Sequence, residues 1–135
     1  MVDRKSRTTV ILKSKDSRTE NVFKKVISYC KNHQLVVNSI TSDNGGEFTE
    51  FRRITRALDC EYYFCHPYSS YERGTNENTN GLIRQYFPKG CSFEEVTQKE
   101  LTRVQNKLNY RPRKCLGFKT PKEVIDEETG VALAN

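Results

Sequence analysis

Short β-branched or aromatic runs alternate along this chain with stretches whose apolar residues recur at helical spacing, and that alternation constrains the fold more than any other feature. Thr8-Thr9-Val10-Ile11-Leu12 reads as a strand. Asp16-Ser17 then opens a helix whose inward positions are Val22, Phe23, Val26, Ile27 and Cys30. Leu35 to Thr41 reads as a second strand, ended by the turn chemistry of Ser42-Asp43-Asn44-Gly45-Gly46. Phe48, Phe51, Ile54 and Leu58 mark an amphipathic helix, and Glu61 to Cys65 an aromatic strand that stops at His66-Pro67. A polar stretch from Tyr68 to Gly74 leads into a helix over about Thr75 to Tyr86, broken by Pro88 and Gly90. Thr97 and Glu100 form a capping box before Leu101, Val104 and Leu108, and Thr120-Pro121 signals a last helix start. Strand and helix in alternation predict an α/β layer fold with parallel strands.

At 135 residues the chain has material for one domain, with 35% hydrophobic and 30% charged residues. No apolar run approaches the roughly 20 residues of a bilayer helix, and no apolar stretch follows the first residues as a secretory signal requires. Five cysteines (Cys30, Cys60, Cys65, Cys91 and Cys115) leave one unpaired in any connectivity, which suits reduced thiols in a soluble cytoplasmic protein. The net charge is +6, unevenly spread. Residues 1–25 hold eight basic against three acidic side chains, residues 100–122 seven against one, and the tail 123–135 is net −4. Basic flanks around a locally acidic middle fit a polyanion and a few cation-holding carboxylates; ordinary solvated charge scatter fits as well.

The candidate chemistry gathers at two carboxylates. Asp43 stands where a strand yields to a Gly-Gly turn, at the carboxyl edge where α/β sheets place ligands. Glu77 lies in the first turn of the helix after the polar loop, and Asn80, Gly81 and Arg84 share its face. Arg84 is about 10 Å along that stripe. A phosphodiester lying across it would meet an acid able to hold a metal, a glycine permitting backbone approach and a guanidinium for a phosphate oxygen. Equally, Glu77 can complement the helix dipole while Arg84 is merely solvated. Cys60, Cys65 and His66 have a superficial zinc spacing without a second ligand pair, and Glu47 fits a helix start as well as a supporting role beside Asp43.

Three longer strings carry a resemblance. Thr41-Ser42-Asp43-Asn44-Gly45-Gly46-Glu47-Phe48, the Pro67 to Gly81 segment with its Asn76-Glu77-Asn78-Thr79-Asn80 run, and Arg84 to Gly90 are similar to bacterial insertion-sequence transposases. The match is to insertion-sequence family thirty of the DDE integrase superfamily. Leu108-Asn109-Tyr110-Arg111-Pro112-Arg113-Lys114 and Thr120-Pro121 resemble that family's closing segment, and thirty-three residues separate Asp43 from Glu77, as between the family's second and third acids. The resemblance implies a ribonuclease H-like core whose three carboxylates bind two Mg²⁺ or Mn²⁺ ions for DNA cleavage and strand transfer. On it, Asp43 and Glu77 are catalytic metal ligands. Arg84 contacts DNA, with Arg73, Asn76, Asn80 and Lys89 as further candidates, and Arg111, Arg113 and Lys114 add phosphate affinity. The implied partners are double-stranded DNA, as transposon ends and target, and full-length transposase; a homo-oligomer is compatible, a membrane is not.

The family's first acid lies on an opening strand upstream of a segment like Val2 to Arg7, and here only Met1 precedes that segment. Asp3 occupies a position that is not a ligand in the family. The expectation is therefore an incomplete core over residues 1–126, lacking its first central strand, with an acidic tail over 127–135. Such a chain would be inactive by itself. Alternatives are a non-catalytic DNA- or transposase-binding module and a standalone metal nuclease. Without that strand, Thr8–Leu12 is expected either to slide beside Val36–Thr41 or to leave unpaired backbone exposed.

Overall fold

The computed structural model describes residues 1–14, 18–43, 51–66 and 74–129, with five α-helices and two strands among them. They fall into two compact units, one built from residues 12–73 and the other from residues 1–11 together with 74 onward.

In the first of these, α1 (Thr19–Asn32) buries Phe23 and Cys30 from the apolar stripe read in the sequence. The expected opening at Asp16-Ser17 lies outside the described residues. Packed on α1 is α2 (Phe51–Leu58), with Ile54 2% exposed. Strands β1 (Ser39–Ser42) and β2 (Glu61–Phe64) pair in parallel, Ser39 opposite Glu61 through Ser42 opposite Phe64. Parallel neighbours require a crossover, and α2 lies within it. Phe51 of α2 meets Tyr62 and Phe64 of β2 at ring-centroid distances of 5.5 and 5.3 Å, fastening helix to strand.

The second expected strand is shorter than Leu35–Thr41. Pairing begins at Ser39 because its partner begins at Glu61, two residues after Asp59 turns the chain with a positive φ of 49°. Val36, left outside the ladder, is 89% exposed. All five cysteines are free. Burial pushes the Cys30 thiol up, with Cys60 adding to the effect; burial and then Asp59 push up the Cys60 thiol.

The other unit is organised by α4 (Gln98–Asn109), which buries Leu101, Val104 and Leu108 on one face. Phe87 and Val96 complete that cluster, and Ile11, Leu82, Ile83 and Cys91 pack against it. Leu82 and Ile83 belong to α3 (Gly74–Arg84), which begins one residue earlier and ends two earlier than read from sequence. A 3-10 turn, Lys114–Leu116, precedes α5 (Pro121–Thr129).

Thr8–Leu12 meets neither expected fate. Val2 and Thr9 form an isolated antiparallel bridge, with Val10 N–H donating to the Met1 carbonyl at 2.9 Å and the Met1 amine donating to Val10 O at 2.8 Å. On α4, Asn109 Oδ1 accepts from Thr9 N–H at 2.8 Å while its Nδ2 donates to Thr9 O at 2.9 Å. Gln105 Oε1 accepts from Ile11 N–H at 2.9 Å. Side-chain amides of a helix thus take the backbone groups that a neighbouring strand would otherwise pair. Thr9 is 1% exposed, so removing the amide strands two buried backbone groups. Asn109→Ala should therefore cost about 2–4 kcal/mol, against about 1 kcal/mol for the cap variant Thr97→Ala. Equal costs in urea unfolding of the chain would show that the amide is dispensable.

The two helix starts are built alike. Thr97 N–H and Oγ1 donate to Glu100 Oε2, both at 2.8 Å, and Glu100 N–H returns a bond to Thr97 Oγ1 at 3.2 Å. Thr120 and Glu123 repeat the pattern at 2.7, 2.9 and 3.2 Å. Bonds from the Thr97 and Thr120 backbones, then from their hydroxyls, hold the two carboxyls below the ordinary glutamate range. A depressed carboxylate adds stability above its unfolded pKa, and that stability is lost as pH falls through the folded value. The urea midpoint should accordingly fall on acidification below the ordinary glutamate value, and fall less steeply in a Glu100→Gln, Glu123→Gln variant. Parallel pH profiles would contradict this account.

Candidate functional site

Asp43 follows the last residue of β1 and is half-buried. Its backbone is placed by three bonds that sequence reasoning missed. Cys65 N–H donates to Ser42 O at 2.8 Å, closing the β1–β2 ladder. Ser42 Oγ donates to Asp43 O at 2.9 Å, and Tyr62 Oη donates to Ser42 Oγ at 2.9 Å. Ser42 is buried, so its hydroxyl is shielded from water and helps set where Asp43 leaves the strand. The signal for it in sequence was slight: Ser42 and Tyr62 occupy positions that become neighbours only once the strands are in register.

On α3 the surface divides as the helical spacing predicts. Thr79 is buried, and Leu82 and Ile83 are half-buried against the α4 core; Glu77, Asn80, Gly81 and Arg84 are all exposed on another stripe. Glu77 lies in the first turn, where a carboxylate complements the helix dipole, and Arg84 in the last. A Cβ at Gly81 would meet nothing within 4 Å, so no neighbouring group in the fold requires a glycine there. Replacing it with alanine should stabilise α3 by up to about 1 kcal/mol, while weakening duplex DNA binding if the bare backbone is kept for a phosphate. A lower urea midpoint for Gly81→Ala would instead reveal an internal role for the glycine.

The remaining candidates divide by exposure. Asn76, Lys89, Arg111 and Lys114 are exposed, as a role toward an external phosphate requires. Arg113 turns inward instead, and its Nη2 donates to the Leu108 carbonyl at 3.2 Å near the end of α4. Burial, then the like charge of Arg111, lowers its pKa. Arg73 and Glu47 lie outside the described residues, as do Asn44 to Gly46 and most of the polar loop before α3. Asp3 is occupied locally: Ser6 N–H and Oγ both donate to its Oδ2, at 2.7 and 2.6 Å.

Asp43 belongs to the unit of residues 12–73 and Glu77 to the other, and each is positioned by its own unit. Both are hard oxygen donors of the kind Mg²⁺ and Mn²⁺ take. Among the described residues, however, no cluster of three or more His, Cys, Asp or Glu side chains stands ready to hold a metal. Among the described residues, Asp43 and Glu77 alone are too few for a two-metal site and do not fit that group on their own. No described helix is long and apolar enough to cross a membrane.

The architecture is that of an integrase catalytic core, ribonuclease H-like, with two strands in its described sheet. It superposes on the catalytic core domain of BIV integrase with a TM-score of 0.68 at 19% identity, covering 96% of this chain and 85% of that one. A chain of the simian T-cell lymphotropic virus intasome gives 0.71 at 21% identity, covering 90% and 45%. In sequence, the transposase of insertion sequence element IS4351 from Bacteroides fragilis is 52% identical over 103 residues, which is 74% of this chain and 32% of that protein. Transposase InsI of Escherichia coli is 48% identical over an alignment of 139 positions, covering all of this chain and 35% of that protein. No protein-family model matches. The chain belongs with the insertion-sequence transposases, in their integrase-core portion, and spans about a third of the length of these curated relatives.

Proposed function

We propose that this chain serves DNA transposition, contributing Asp43 and Glu77 to the carboxylate set that handles the scissile phosphodiester of transposon ends and target. The observation that supports this most directly is a carboxylate set immediately past the carboxyl end of a parallel strand, in a chain that aligns along its whole length with an insertion-sequence transposase. Arg84, Asn80 and Asn76 would steer the DNA backbone along the exposed stripe of α3, with Arg73 and Lys89 as further contacts. Arg111 and Lys114 would add salt-dependent affinity, each phosphate neutralised contributing about 0.9 to the slope of log K against log salt. Arg113 would take part from its inward position. The site of action would be the cytoplasm of a bacterium, at the nucleoid, with full-length transposase or a second copy as partner.

With Asp43 and Glu77 as the only two of the three expected acids matched in these residues, binding without cutting is favoured. These residues by themselves should hold duplex DNA and leave it intact, with Mg²⁺ or Mn²⁺ bound weakly at most. The chain should shift a transposon-end duplex in a gel in a salt-dependent manner and produce no nicks in Mn²⁺. Cleavage lost in Glu77→Gln would overturn the inactivity, and absence of any duplex binding would overturn the DNA-handling role.

A further inference from the structure

The unit that carries α3 contains a second polar feature, separate from the exposed stripe. A cleft of about 210 Å³ opens beside the start of α3, and Arg7, Thr75, Asn78, Thr79 and Arg113 bring polar groups to it. No carboxylate is among the described residues that line it. Two guanidiniums therefore converge on one small volume without a counter-charge among those residues, an arrangement that costs free energy unless an anion is taken up.

Both arginines are held in place by the fold. Arg7 sits at a φ of 63°, in the left-handed region that a non-glycine residue enters at a cost. The Asp3–Ser6 turn enforces this, with Arg7 N–H donating to Asp3 O at 2.9 Å, and Arg7 Nη1 then reaches the Thr75 hydroxyl. Arg113 is clamped through its backbone: its N–H donates to Lys119 O at 3.0 Å, and its carbonyl accepts from Phe118 N–H at 2.9 Å. The Nε of Arg113 is buried and has no hydrogen-bond partner among the described residues, a deficit that an anion held beside the guanidinium would offset.

We propose that this cleft is a phosphate-binding site, in which Arg7 and Arg113 grip one tetrahedral oxyanion and the Thr75 and Asn78 side chains supply further polar contacts. At roughly 30 Å³ per water, it has room for a phosphate together with hydrating water. The same chemistry suits a free phosphate or one phosphate of a DNA backbone. The proposal does not depend on strand transfer, since neither Asp43 nor Glu77 lines the cleft.

The test is a titration of the full chain with inorganic phosphate, followed by amide and guanidinium nuclear magnetic resonance, against chloride at equal ionic strength. Saturable shifts at Gly74, Thr75 and Arg113 Nε–H are expected with phosphate alone. Arg7→Met and Asn78→Asp should each weaken binding at least about tenfold. The second variant puts a carboxylate into the cleft wall from the fifth residue of α3, an exposed position near the positive end of the helix dipole, so folding is expected to persist. Arg7→Lys, which keeps the charge, should retain part of the affinity. Equal shifts with chloride, or unchanged affinity in Asn78→Asp, would overturn the site. A parallel salt titration of duplex binding identifies the source. A slope smaller by about 0.9 in Asn78→Asp assigns the oxyanion to DNA, and an unchanged slope assigns it to free phosphate; either result upholds the cleft. Absence of duplex binding without loss of the phosphate shifts would count against the transposition reading alone.

Discussion

The bond from Cys65 N–H to the Ser42 carbonyl closes the ladder between the two parallel strands, and the geometry around Asp43 depends on it. A four-residue strand pair has little hydrogen-bonding capacity of its own. Its register is secured by what surrounds it: Phe51 against Tyr62 and Phe64, and the hydroxyl chain from Tyr62 through Ser42 to the Asp43 carbonyl. A slip of one residue would turn every side chain of β2 to the opposite face, separating Phe64 from Phe51 and Tyr62 from Ser42 together. One register thus satisfies the aromatic packing, the buried hydroxyls and the placement of the carboxylate.

The other unit solves a different problem, that of an extended segment at residues 9–11 with backbone groups to pair. Helix α4 supplies both an apolar face for Ile11 and the Asn109 and Gln105 amides for Thr9 and Ile11. The same helix anchors α3 through Leu82 and Ile83. Burying that side leaves Glu77, Asn80, Gly81 and Arg84 facing solvent, so the core on one side of α3 determines which side can meet a ligand. Arg113 links the two tasks, because its guanidinium binds the Leu108 carbonyl near the end of α4 and also borders the basic cleft.

Much of this was legible in the sequence wherever the causes are local. The Thr97–Glu100 box, the proline start at Pro121, the stripe of Phe23 and Cys30 on α1 and the face of α3 depend on residues within a turn or two of one another. The candidate carboxylates were legible for another reason: the strings around Asp43 and Glu77 resemble a family, and the relatives found by comparison bear that family assignment out. The strand expected from Leu35 began late because its length was set by a partner more than twenty residues on. Arg113, read as one of several outward cations, turned inward because the loop to Phe118 and Lys119 holds its backbone.

By itself, the sequence determined the order of elements, their caps and the apolar faces they bury, because propensity, capping and periodicity act over a few residues. Tertiary structure alone decided that Asn109 would stand in for a strand at Thr9, that Tyr62 would reach Ser42, and that Arg7 and Arg113 would share a cleft. Those pairs lie far apart in the chain, and a single residue's preference does not specify a distant partner. Only the simultaneous burial of apolar faces brings them within bonding distance, and only there do an unmet donor or an unopposed charge acquire chemical meaning.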